Sequence, residues 1–114
     1  MLESSLHSRQ RDDALAFELT VENHGDEPVE LSFADGQRVR VAVYPADADD
    51  DASPIWRSDA DQMFAQVLGS ETVPAGESVT FDAAWQSPEP GEYLAVGEVT
   101  CQDRELDAEE TVLV

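Results

Sequence analysis

The sequence predicts an all-β protein, a single antiparallel β-sandwich of about seven or eight strands. Three observations lead there. Apolar residues alternate with polar ones again and again along the 114 residues. Clusters of Gly, Pro, Asn and Asp break the alternation at short intervals. No capped apolar pattern of helical period runs for about ten residues anywhere.

Residues 1–13 are polar and unpatterned, and are expected to form a loose or partly docked arm. Residues 14–114 are left as the sandwich domain. Leu15, Phe17, Leu19 and Val21 face one way, with Ala16, Glu18, Thr20 and Glu22 opposite. "NHGDEP" turns the chain, with Gly25 free to take positive φ. Val29, Leu31 and Phe33 resume the alternation; the two runs form a hairpin or cross to a second sheet, and the pattern leaves both open. Asp35-Gly36 is a hairpin signal, followed by Val39, Val41 and Val43. "PADADDDASP" is a loop, "IWR" a short strand and "QMFAQVL" an apolar run of ambiguous type. "GSETVPAGES" reads as turn, and Val79, Phe81, Ala83 and Trp85 as strand. "YLAVGEVTC" reads as a long buried strand, "QDRELDAEE" as an acidic connection or a hairpin, and "TVLV" as the last strand. The expected core contains Phe17, Leu19, Val21, Leu31, Phe33, Val41, Val43, Trp56, Phe81, Trp85, Tyr93 and Val96. Tyr93 follows a tight turn, where sandwich domains place a tyrosine whose hydroxyl bonds back across the corner.

The charge is unusual. Asp plus Glu number 26 against 6 basic residues, for a net charge of −20, and every base is arginine. The acids are spread along the chain. A dense carboxylate surface stays hydrated and soluble in concentrated salt, where the Debye length falls to about 3 Å. The composition resembles that of a protein from an extreme halophile, and folding is expected to need molar salt. Lysine depletion has no role in mimicking DNA, so an acidic decoy is the weaker explanation. The charge argues strongly against a basic patch for nucleic acid. The single cysteine, Cys101, permits no intramolecular disulfide. No apolar segment suits a signal peptide or a membrane span. A cytoplasmic monomer without nucleic-acid or membrane partners is expected.

Residues that carry chemistry are scarce. His7 lies in the arm and His24 in a turn. Asp26 stands near His24, but any turn histidine in this chain has an acid beside it, so a Ser-His-Asp site is not indicated. A Cys101–His24 pair is no better supported; Cys101 reads as a small apolar residue ending a buried strand. "DADDD" offers carboxylates at Asp47, Asp49, Asp50 and Asp51, yet lacks the glycine and distant glutamate of an EF-hand loop. It reads as a solvated acidic loop, and no metal site is expected. Phosphate-cradling and paired-cysteine motifs are absent. The chain is not expected to be an enzyme, and a binding or inhibitory module remains by elimination.

"LTVENHGDEPVELSFADGQRVRVAVY", "IWRSDADQMFAQVLGSETVPAGESVTFDAAW" and "PGEYLAVG" resemble, in order, the BsuPI-type intracellular proteinase inhibitor family. The similarity runs from about Leu19 to Gly97. Its more specific pieces are "GQR", the tryptophan followed by "MFAQVLG", and "PAGES" leading to Phe81 and Trp85. The resemblance implies an immunoglobulin-like β-sandwich that inhibits an intracellular serine protease of the subtilisin class, without a cofactor. It carries over no reactive-site motif. Reversible, non-covalent inhibition calls for a rigidly held segment with an apolar anchor at its tip. Ser58 to Leu68 fits best, with Met63 and Phe64 as anchors beside Asp61 and Gln62; the competing reading makes Met63 and Phe64 the start of a core strand. Asp47, Asp49, Asp50 and Asp51 form a secondary rim that steers a basic partner. The alternative function is an immunoglobulin-like interaction module, without inhibitory activity, that binds through a strand edge or end loops.

Overall fold

The computed structural model describes residues 2–47, 52–59, 68–102 and 104–114. Among them are nine strands and no helix: β1 (Leu2–Arg11), β2 (Ala14–Asn23), β3 (Val29–Phe33), β4 (Val39–Pro45), β5 (Trp56–Arg57), β6 (Gly69–Val73), β7 (Ser78–Gln86), β8 (Glu92–Val99) and β9 (Leu106–Leu113). All pairings are antiparallel. One sheet runs β1-β2-β7, the other β5-β4-β8-β9, and β3 pairs with β6. The β3–β6 pair ties the two sheets together. Asn23 Nδ2 at the end of β2 donates to Val73 O of β6 (3.0 Å), and Gln102 N beyond β8 donates to Ser32 O of β3 (2.8 Å).

Period two creates the core. Leu15, Phe17, Leu19 and Val21 of β2 point inward with Asn23, and meet Val41 and Val43 of β4 and Ala95 and Val99 of β8. An aromatic row runs between the layers. Trp56 stacks between Phe17 (6.1 Å between ring centroids) and Trp85 (5.8 Å), and Tyr93 meets Trp85 edge-on at 5.1 Å. Tyr93 Oη donates to Glu89 O at 2.7 Å, the corner bond expected from "PGEY". The β5-β4-β8-β9 order, with this tyrosine opening β8, is that of the C–F–G sheet of an immunoglobulin-like sandwich.

Several expectations change. The supposed arm is strand β1 from Leu2 to Arg11, paired residue for residue with β2 through a two-residue turn at Asp12-Asp13. Asp12 takes φ +50° there, a region its short polar side chain tolerates. Leu6, buried, sends β1 into the core. Positive φ is found at Gly76 (+74°) and not at Gly25. Glu77 N bonds Pro74 O (3.1 Å) around Gly76, which closes the "PAGE" turn. Asp35-Gly36 joins strands of different sheets and makes no hairpin, and β2 and β3 do not pair either. Residues 69–73, read as turn, form β6: its Ser, Glu and Thr are polar, so pairing comes from β3 and not from its own propensity. β9 begins at Leu106, earlier than expected, because Ala108 and Glu110 occupy its inner face and blur the alternation. Val96 is not core. Ala95, Gly97 and Val99 face inward, and Val96 lies on the outer face. Gly97 faces inward because Leu6 occupies the space: a Cβ there would stand 3.3 Å from Leu6 Cδ1. Trp56, Phe81 and Tyr93 are half-buried against the core.

Candidate functional site

The structure describes how the chain enters and leaves the segment predicted to carry binding. β4 ends at Pro45, and the chain returns to β5 with Ile55 N donating to Val43 O (2.8 Å). β5 has only two residues, which point opposite ways: Trp56 into the aromatic row and Arg57 outward. Ser58 then clasps β4 twice. Its N–H donates to Val41 O (2.8 Å), and its hydroxyl oxygen accepts from Val41 N (2.8 Å).

Asp59 follows, and it is the best-held carboxylate of this region. Its side chain is 11% exposed. Oδ2 accepts from Arg40 Nε (2.7 Å), an Arg57 Nη (3.0 Å) and Gln37 Nε2 (3.4 Å). Oδ1 is buried without a partner among the described residues. Burial pushes this carboxyl's pKa up. The hydrogen bonds from Arg40 and Arg57, the Arg40 charge and Gln37 together outweigh burial and hold it below the ordinary carboxylate value. Arg40 is held protonated more firmly still, chiefly by its bond to Asp59, and reaches Glu98 Oε1 at 2.7 Å as well.

The exit is also fixed. Gly69 pairs with Phe33. Arg38 lies 4.3 Å above the Phe33 ring, donates to Glu71 Oε1 (3.1 Å) and to Asp35 O (2.8 Å), and passes Gly69 so closely that a Cβ there would meet it at 2.6 Å. Leu68, just before, is 78% exposed. Arg38, Arg40 and Arg57 are half of the 6 basic side chains in the protein, and they flank the two ends of one segment. Arg38 and Arg40, alternating with Val39 and Val41 where β4 begins, are visible in the sequence; the meeting of Arg40 and Arg57 at Asp59 is not, because Arg40 stands 19 residues from Asp59.

Of the residues predicted to bind, Asp61, Gln62, Met63 and Phe64 lie outside the described residues, as do Asp49, Asp50 and Asp51. Asp47 is exposed in the turn after β4. Beside this region, the outer face of β4 and β8 carries a groove of about 430 Å³ lined by Arg40, Ala42, Tyr44, Pro54, Arg57, Val96 and Glu98. Arg40 and Arg57 balance Asp59 and Glu98, so this patch is close to neutral on a chain of charge −20.

The two residues weighed for nucleophilic chemistry stand apart. Cys101 bridges Phe33 at the end of β3, whereas His24 precedes its start at Val29, so the strand's length separates them. The Cys101 thiol donates to Arg104 O at 3.2 Å. His24 is exposed, with Nε2 3.4 Å from Glu22 Oε2.

Comparison with known proteins gives a family and a fold. The family model for BsuPI, intracellular proteinase inhibitor, matches residues 2–110. No curated protein matches the sequence. Among solved structures, the chain is similar to β-glucosidase from Kluyveromyces marxianus in complex with glucose, at TM-score 0.54 and 18% identity. That match covers 100% of this chain and 14% of the other. It is also similar to Spo0M, a sporulation control protein from Bacillus subtilis, at TM-score 0.51 and 14% identity, over 98% of this chain and 48% of that one. The chain thus spans a small part of the glucosidase and about half of Spo0M. At such identities the likeness is one of fold alone.

Proposed function

The chain belongs to the BsuPI family of intracellular proteinase inhibitors, and from that premise we propose that it is a reversible, non-covalent inhibitor of a cytoplasmic serine protease of the subtilisin class. The observation that carries this reading is the family match over residues 2–110.

The contact falls on the segment between Ser58 and Leu68, with Met63 and Phe64 as the apolar anchors and Asp61 and Gln62 beside them. Two features support this. The segment's ends are fixed, by Ser58 and Asp59 on β4 and by Gly69 on β3, and a segment held at both ends loses less entropy on binding. Leu68 is already exposed at its exit, in keeping with an apolar contact surface. Asp47 to Asp51 form a rim that steers a basic partner in dilute salt and matters little in concentrated salt.

A second reading rests on a different observation. The near-neutral groove on the outer face of β4 and β8 offers a surface for a protein partner apart from residues 61–64, in keeping with an immunoglobulin-like interaction module.

Two substitutions test the contact. Met63→Asp and Phe64→Asp are each expected to weaken inhibition at least tenfold, about 1.4 kcal/mol, with the circular dichroism spectrum unchanged. Unaltered inhibition in both variants would remove this segment from the mechanism.

A further inference from the structure

The outer face of the β1-β2-β7 sheet holds a set of donors that the inhibitor reading leaves unused. Strand register sets Glu3 of β1 directly opposite Glu22 of β2. Two carboxylates facing each other across an antiparallel pair repel. Elsewhere on this face the chain offsets such charge: Arg9 bonds Glu18 across the same two strands. Glu3 and Glu22 have no arginine partner among the described residues. The side chain that joins them is His24, two residues beyond Glu22 and so on the same face.

One ligand atom from each of Glu3, Glu22 and His24 lies within 4.8 Å of the others. Glu22 Oε2 and His24 Nε2 are 3.4 Å apart. In a tetrahedral zinc shell, with metal–ligand bonds of about 2.0–2.1 Å, neighbouring ligand atoms sit about 3.4 Å apart. Two of the three donors therefore already stand as far apart as two ligands of one zinc ion. Glu3 closes the set by a rotamer change, for which its exposure leaves room. A depression of about 130 Å³ lined by Glu22, Asn23, His24, Gly76, Glu77 and Ser78 adjoins it, with space for the waters that would complete the shell.

We propose that Glu3, Glu22 and His24 form a binding site for a divalent transition-metal ion of the zinc class, closed by water. One imidazole with two carboxylates selects a borderline ion over magnesium or calcium, which take oxygen donors almost alone. The ion replaces the proton that an imidazole–carboxylate ion pair would need, and its two charges cancel the repulsion between Glu3 and Glu22. It ties the start of β1 to the end of β2. This site does not depend on the protease reading, because it occupies the opposite sheet and involves none of the residues assigned to inhibition.

The test uses the full chain in molar potassium chloride with excess magnesium, so that diffuse binding to carboxylates is already saturated. Zinc chloride is titrated by calorimetry, and the ring signals of both histidines are followed by NMR. The expected result is one equivalent bound, with the His24 signals shifting and those of His7 unmoved. Glu3→Gln, Glu22→Gln and His24→Gln should each weaken binding at least tenfold, and substitution of the exposed Glu109 of β9, Glu109→Gln, should not. All four positions face solvent, and an unchanged circular dichroism spectrum checks the fold of each variant. Absence of saturable binding overturns the proposal. So does binding by the three variants as tight as that of the unsubstituted chain, or a shift of His7 with His24.

Discussion

Asn23 answers what the short polar stretch between β2 and β3 is for. It is 2% exposed, yet its side chain is fully used. Nδ2 donates to Glu27 O (2.8 Å) and Val73 O (3.0 Å), and Oδ1 accepts from Gly25 N (2.9 Å). One side chain thereby folds its own turn and attaches β6. Asn23→Ala should cost about 2–3 kcal/mol in urea unfolding, since it strands buried backbone groups without offering a substitute. Asp59 is the second such residue. Because its folded pKa lies below the ordinary 3.8, its contribution is present above that pH and is lost as pH falls through the lowered folded value. Asp59→Asn should cost about 1–2 kcal/mol at neutral pH, the figure discounted because Arg40 and Arg57 are 37% and 47% exposed. The stability gap between wild type and this variant should close as the solution is acidified below about pH 3.8. A gap that is constant from pH 7 to 3 would show that the charge is not what matters.

At the scale of elements, the strands differ in how much of their order is written in local pattern. β2, β3, β4 and β7 are legible because each carries large apolar residues at period two, and β8 because it is a long apolar run. β1 offers only Leu2 and Leu6 against a run of serines and charges, so its sequence resembles an arm. Its order comes from pairing with β2, which a local pattern cannot reveal. β6 and the first half of β9 were missed for the same reason: their inner positions include Gly, Glu and Ala. Val96 reads as core because "YLAVGEVTC" looks buried throughout; in the structure Ala95 and Gly97 face inward instead, and at Gly97 Leu6 and Leu19 already fill the space. Of the candidate site, the arginines Arg38 and Arg40 are visible in the sequence, and the convergence of Arg40 with Arg57 on Asp59 is not. Leu6→Ala tests β1's membership in the core. It should lower stability by about 2–4 kcal/mol, whereas a loose arm would lose almost nothing.

For the whole molecule, charge decides the conditions. With −20 spread over 114 residues, self-repulsion opposes the compact state, and added salt screens it. The melting temperature should rise steeply from dilute buffer to molar potassium chloride; full stability in salt-free buffer would mean that the carboxylates are already offset within the fold. The interaction-module reading would be favoured by a pull-down in high salt that recovers a complex without protease. The most direct test of function is a protease assay in molar salt, with the purified chain titrated against an active subtilisin-class enzyme. Stoichiometric loss of activity that returns on dilution is the predicted result, and full activity at a large molar excess of the chain would contradict it.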